Sequence, residues 1–244
     1  MVEQQVSRRP VSTDSGLAVP SSAEVREQAA ALRGATPPQV ITWTLERFPR
    51  TALTVSFGGG GVVLAHMLSR IDARVPVLFL DTGFHFPETL AFKARFAADY
   101  GLNVVDLTPA TDPGPLYQTD PDRCCWIRKV EPLQRALAGF DAWISGVRSE
   151  QSTERAAIDV LERHESDGHP VLKVFPLAAW SREDVWRYIR EEGLPHHPLL
   201  DQGYTSIGCW PCTRPTQLGE HERAGRWAGT GKTECGLHTF TNKS

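Results

Sequence analysis

The chain has 244 residues, 41% of them hydrophobic, and a formal net charge of −3. That length supports one sizeable core with at most a small appendage. The near-neutral charge gives no support to a general polyanion binder, so nucleic acid is not an expected partner.

Residues 1–20 are polar and rich in Ser, without an apolar period, and read as a flexible N-terminal arm. The opening MVEQQVSRRPVSTDSG lacks the apolar core of a secretory signal, and no apolar run reaches membrane-spanning length. The expectation is a cytoplasmic protein with no membrane partner. Ser21 and Glu24 form a capping-box pattern that starts a helix through Leu32. Thr36 and Gln39 do the same for a second helix ending near Phe48.

The pattern then changes. Residues 52–57 form a short apolar strand, followed by the run Gly58 to Gly61 and an apolar helical stretch over 62–68. Residues 76–81 give a second buried strand and 87–100 a helix that Gly101 ends. Further strands fall at 103–107 and 142–146, with 171–175 a candidate fifth, and Ser181 caps a helix over 181–192. Strands alternating with helices point to an α/β fold with a doubly wound, mainly parallel sheet. Ligands of such sheets sit at the carboxyl ends of the strands, here the segments after Phe57, Asp81 and Gly146. Beyond about Leu199 the alternation is lost, leaving an irregular, Cys-containing C-terminal segment.

Strand, SFGGGG, helix is a generic anion-binding arrangement, because glycines let backbone N–H groups turn toward one point at a helix N-terminus. The run matches neither GxGxxG nor GxxxxGK[ST]. A merely flexible turn between strand and helix accounts for it equally simply.

Five cysteines stand at 124, 125, 209, 212 and 235. An odd count in a reducing compartment points to metal binding or catalysis before a disulfide framework. Cys209-Trp-Pro-Cys212 has a spacing suited to a metal centre or to thiol redox chemistry. With Cys124 and Cys125 it makes a four-thiol set, for which zinc and an iron–sulfur cluster are the candidates. Neighbouring residues on a helix point about 100° apart. A single zinc needs its sulfurs converging on one atom at about 2.3 Å, whereas a four-iron cubane offers each thiolate its own iron. The adjacent pair therefore favours a cluster. Arg123, Arg128, Lys129 and Arg214 flank these cysteines; they suit a negative centre or anionic substrate, or else an ordinary solvated helix face. Cys235 lies nine residues from the end, between Lys232 and His238. Both neighbours are expected to favour its thiolate.

The strings LDTGFHFPET (80–89), CCWIRKVEPL (124–133), SGVRSEQSTER (145–155), GCWPCTRP (208–215), GEHERAGRW (219–227) and ECGLH (234–238) resemble the assimilatory adenylyl-sulfate (APS) reductases, within the wider phosphoadenylyl-sulfate (PAPS) reductase family. The resemblance implies a fold like the adenine-nucleotide α-hydrolases and a [4Fe–4S] cluster on Cys124, Cys125, Cys209 and Cys212. It implies APS as substrate, with PAPS the alternative, and Cys235 as nucleophile. The resulting S-sulfocysteine would be reduced by thioredoxin or glutaredoxin to give sulfite. No thioredoxin-like stretch follows Cys235, so a separate reductant protein is expected; association into a homo-oligomer stays open.

By the same resemblance Ser56, Gly58 and Gly59 fall on a phosphate loop, and Thr82, Gly83 and His85 on the loop after the second strand. Lys129, Arg148, Arg223 and Arg226 correspond to cations around the phosphosulfate. One departure stands out: many relatives read approximately SFSGAEDVVL where this chain has SFGGGGVVL, one residue shorter and without the acid. Backbone donation survives that change. The expected division is an arm over 1–20, an α/β nucleotide-binding and iron–sulfur unit over 21–215, and a mobile tail over 216–244 carrying Cys235.

Overall fold

The computed structural model describes residues 18–166 and 168–238. Most of the expected N-terminal arm and the last six residues of the tail lie outside that range. Helix α1, Ser22–Leu32, and helix α2, Pro37–Arg47, both begin at the expected capping boxes. Six strands follow: β1 Thr51–Thr54, β2 Pro76–Leu80, β3 Asn103–Leu107, β4 Ala142–Ser145, β5 Leu161–Ser166 and β6 His169–Val174. They form one sheet in the order β3-β2-β1-β4-β6-β5, parallel throughout except that β5 runs antiparallel to β6.

Between the strands lie α3 (Gly59–Asp72), α4 (Pro87–Asp99), α5 (Pro121–Cys125), α6 (Glu131–Leu137) and, after β6, α7 (Arg182–Glu191). The chain leaves β1 toward β2 and β3, then returns to place β4 and β6 on the other side of β1. That reversal makes a topological switch point at the carboxyl ends of β1 and β4, where a parallel sheet opens a crevice.

Strand alternation sends two sets of side chains to opposite faces. Leu53, Val77, Phe79, Ile144, Leu172 and Val174 pack under α3 and its neighbours in the larger core, where residues 62–68 of α3 are all buried. Ala52, Leu78, Trp143 and Val171 face the other way, against Leu133 and Leu137 of α6 and against Leu237 of the tail. The tail thus completes the second face of the sheet.

Two expectations shift. The glycine run is not a free loop: Gly58 is the N-cap of α3, and Gly59, Gly60 and Gly61 form its first turn. β5 was not expected from the sequence, because LERHES is an edge strand with a consecutive polar run from Glu162 to Ser166 and no apolar alternation. Between α5 and α6 a π-helical turn, Trp126–Val130, carries Lys129. No helix among the described residues is long and apolar enough to cross a membrane.

Candidate active site

Where β1 and β4 end, two glycines bring α3 and the sheet into backbone contact. A Cβ on Gly60 would stand 3.2 Å from the Gly146 carbonyl oxygen, and one on Gly146 would stand 3.2 Å from the Gly60 carbonyl carbon. Hydrogen at both positions lets the α3 N-terminus sit this close to the crevice without either backbone having to give way. Its free N–H groups and the partial positive charge of a fourteen-residue helix then face a cavity of about 250 Å³.

Ser56, Gly58 and Gly59 line that cavity together with His85, Lys129, Arg148, Arg223, Arg226, Cys209 and Cys235. Most of the expected site is thereby gathered from seven separate segments. Thr82 and Gly83 are not in it. Thr82 is buried with its Oγ1 3.3 Å from the Cys209 Sγ, and Gly83 borders a shallow depression beside Asp81 and Arg128. Neighbouring residues of the turn point apart, one to the thiols and one outward.

Arg148 is 3% exposed; its Nη2 donates to both oxygens of Glu222 at 3.0 and 3.2 Å, and its buried Nε has no partner among the described residues. Arg226 lies 4.5 Å over the Trp227 ring and donates through Nη1 to the Ile207 carbonyl, and its Nε is likewise unpartnered. Buried donors without acceptors are costly, so two such guanidinium edges in one cavity suit a ligand rich in oxygens. Burial, and then the nearby Arg155, lower the pKa of Arg223.

Lys129 stands fully among the thiols. Burial alone would lower its pKa, but the charges of Cys209, Cys125 and Cys235 outweigh it and raise the value. Reciprocally, burial pushes Cys209 up while Lys129, the Thr82 hydroxyl and Arg226 bring it down, with a net lowering. Burial raises Cys124 and Cys212, and pushes Cys125 up to about 11. The five cysteines therefore occupy one electrostatic neighbourhood, with Cys124, Cys125 and Cys209 buried. Among the described residues no three His, Cys, Asp or Glu side chains converge as a single metal ion requires. Thiolates that each take a different iron of a cubane need not share one point. In donor type and number, the four thiols at 124, 125, 209 and 212 fit a cluster.

The two neighbours expected to activate Cys235 are engaged elsewhere. Lys232 pairs with Asp122, and His238 is buried against Trp143 with its pKa held well below the usual imidazole value, first by burial and then by Arg155. Arg128, expected near the thiols' charge, does lower Cys124 by its own charge, and it also ties the Thr82 and Gly114 carbonyls and Asp112 together. Three charged cavity residues escaped the sequence reading: Arg155, Arg182 and Glu222. Arg155 closes the SGVRSEQSTER string, so a second arginine seven residues beyond Arg148 was the available signal.

The fold is adenine-nucleotide α-hydrolase-like, and its pocket is lined by Lys129, Arg148, Arg155, Arg182, Arg223 and Arg226. The phosphoadenosine phosphosulfate reductase domain model matches residues 50–215, and this chain belongs to that family. It is 45% identical over 216 residues to an adenosine 5'-phosphosulfate reductase of Streptomyces coelicolor, covering 85% of this chain and 90% of that one. It is 46% identical over 200 residues to a phosphoadenosine 5'-phosphosulfate reductase of Gloeobacter violaceus, covering 78% of this chain and 82% of that one. The crystal structure of phosphoadenylyl-sulfate reductase from Candida auris, a phosphate complex, superposes with a TM-score of 0.73 at 31% identity, over 82% of this chain and 100% of that one. Candida glabrata FMN adenylyltransferase shares the fold alone, at a TM-score of 0.58 and 14% identity over 88% of this chain and 78% of that one.

Proposed function

We propose that this protein reduces adenosine 5'-phosphosulfate to sulfite and AMP, with Cys235 as nucleophile. The observation that carries the reading is that Cys235 opens onto the same cavity as the α3 N-terminus, Lys129, Arg148, Arg223 and Arg226. A thiol and a ring of anion donors in one crevice suit transfer from a phosphosulfate to sulfur. The name of the Streptomyces coelicolor relative, which further relatives from Chelativorans and Bacillus pumilus share, supports the substrate.

In the reaction the Cys235 thiolate attacks the sulfate sulfur, and the bond from that sulfur to the bridging oxygen breaks. The electron pair leaves on the phosphate oxygen of AMP, and Cys235 becomes S-sulfocysteine. Negative charge grows on the departing phosphate, where Arg223, Arg226, Lys129 and the α3 N–H groups stabilise it. A dithiol protein of the thioredoxin or glutaredoxin class then attacks the Cys235 sulfur and releases sulfite. Its second thiol resolves the mixed disulfide, so two electrons pass from the dithiol to sulfur. Cys124, Cys125, Cys209 and Cys212 would hold a [4Fe–4S] cluster, which when bound supplies a negative centre beside Lys129. The division into an α/β unit over 21–215 and a moving tail over 216–244 is part of this reading.

The test is sulfite release from APS and from PAPS, side by side, with reduced thioredoxin. Turnover of APS and its loss in Cys235→Ser, with iron content unchanged, are the expected results. Full activity of that variant would remove Cys235 from the reaction. The Gloeobacter relative carries the name of a PAPS reductase, so the second reading is action on PAPS or on both nucleotides; a marked preference for PAPS would select it.

A further inference from the structure

Lys173 is the last residue but one of β6 and is 2% exposed. A lysine there is unexpected, since burying an ammonium costs heavily unless it gains a partner. Burial depresses its pKa to about 8, and the opposing charge of Glu162, its partner across β5, offsets only part of that. Its Nζ donates to the backbone carbonyl of His238, three residues beyond Cys235.

Trp143 is the register partner of Lys173 on the adjoining strand β4. Its ring stacks on the His238 imidazole at 5.3 Å with an interplanar angle of 8°, and the Lys173 ammonium lies 5.3 Å from the same indole. Phe175 meets His238 edge-on at 6.2 Å, and Leu237 packs into the apolar cluster that contains Trp143, Val171, Leu133 and Leu137. On the other side of Cys235, Glu234 is held by Arg155. Gly236 turns the chain at a φ of 81° between the two anchors. The thiol is thus suspended over the cavity by fixed points immediately before and after it.

We infer that Lys173 and Trp143 form a receptor for the tail, positioning residues that set Cys235 over the cavity during sulfur transfer. The inference rests on Cys235 being the nucleophile. Neither residue needs to touch the reacting atoms: one holds a tail carbonyl and the other a tail ring, both on the face of the sheet opposite α3. When the tail leaves to meet its reductant, the receptor releases the His238 carbonyl and the Leu237 side chain to solvent.

The experiment uses the isolated enzyme and the variants Lys173→Met, Leu237→Ala and the two combined. Three quantities are read: the iodoacetamide alkylation rate of Cys235 by peptide mapping, kcat and KM for the nucleotide, and the thermal midpoint. Lys173→Met is expected to raise the Cys235 alkylation rate about tenfold and to lower kcat about tenfold, with KM little changed. Its midpoint is expected to fall, because Glu162 and the His238 carbonyl lose their partner. Leu237→Ala, on the tail itself, gives the same kinetic pattern, and the double variant is no worse than either single one, since both release one latch. Unchanged alkylation and kcat in a folded Lys173→Met overturn the inference, as do fully multiplicative effects in the double variant. If Lys173→Met does not fold, Leu237→Ala decides alone, and wild-type alkylation and kcat in it overturn the receptor. Retained turnover in Cys235→Ser would sink the reaction assigned above, whereas the alkylation rates would still test the receptor.

Discussion

Arg155 and Glu234 are joined by two parallel hydrogen bonds of 2.8 Å, from Nε to Oε1 and from Nη2 to Oε2. Both side chains are largely buried, and Ser152 and Arg223 also donate to the same carboxylate. The residue next to Cys235 is therefore clamped by arginines that also line the cavity. Replacing Glu234 by Gln keeps the shape but removes the charge that makes the fork strong. The expected result is a loss of kcat of about tenfold, equivalent to ~1.4 kcal/mol, together with faster tryptic cleavage after Lys232. Steady-state kinetics and timed proteolysis check it; wild-type values for both would show that the clamp does not position the tail.

Gly208 cradles Arg226. A Cβ there would stand 2.2 Å from Nη2 and 2.4 Å from Cζ of that guanidinium, and its three nearest contacts all belong to Arg226. The far end of an arginine can move without disturbing the fold, so Gly208→Ala is expected to shift the thermal midpoint by less than about 2 °C. The same variant should raise KM for the nucleotide by roughly tenfold, because Arg226 leaves its place over Trp227. Gly225→Ala is the contrast. Its Cβ would lie 2.2 Å from the backbone oxygen of Arg214, and a clear drop in midpoint is expected. Equal KM values for Gly208→Ala and wild type would mean that Arg226 does not contact substrate from this position.

Much of this arrangement is legible in the sequence, for physical reasons that vary by element. β1, β2 and β4 are buried on both faces, so they read as short continuous apolar runs, and the capping boxes of α1 and α2 are local signals. β5 is illegible because it pairs on one side only and carries Glu162, Arg163, His164 and Glu165. The start of α3 was placed three residues late, since glycines show no hydrophobic period. At the site, strings around Arg148, Arg223 and Cys235 mark themselves by composition. The meeting of Arg155 with Glu234, or of Lys173 with His238, spans 79 and 65 positions in the chain. Only the folded sheet and the returning tail make those contacts. Lys232 and His238 take Asp122 and Trp143 as partners, contacts that nearness to Cys235 in sequence could not foretell.

Phe57 carries a backbone φ of 55°, unusual for a bulky residue, and its ring is fully buried against Phe79, Phe92 and Phe96 at 5.9 to 6.4 Å. The left-handed conformation costs roughly 1–2 kcal/mol, and burial of the ring offsets it. This turn is what sends the chain from β1 into the α3 N-terminus. Phe57→Ala is expected to lose about 3–5 kcal/mol of stability through the cavity it leaves. Phe57→Gly should be no worse than Ala, although glycine ordinarily costs up to about 1 kcal/mol more. Urea unfolding of the two variants tests the order, and a Gly variant less stable than Ala would remove backbone strain from the account.

His197 is fully buried, donates from Nε2 to the Thr89 hydroxyl at 2.9 Å, and accepts at Nδ1 from the Leu199 N–H at 3.2 Å. That pair of bonds fixes the neutral imidazole, since a proton on Nδ1 would face another N–H. Burial pushes its pKa from 6.5 down to about 4. As pH falls below about 6.5, the unfolded chain takes up the proton first. Stability is therefore complete above that value, declines between about 6.5 and about 4, and loses nothing further from this group below it. The full loss is on the order of 3 kcal/mol. His164, also pushed down to about 4, first by burial and then by Lys173, adds a loss of the same sign. His197→Asn is expected to be less stable at pH 7.5 but to show a shallower decline toward pH 4.5, because one of the buried imidazoles no longer titrates. Urea midpoints across that range measure the two slopes, and an unchanged slope in the variant would mean that His197 is already protonated, or already exposed, in the folded protein.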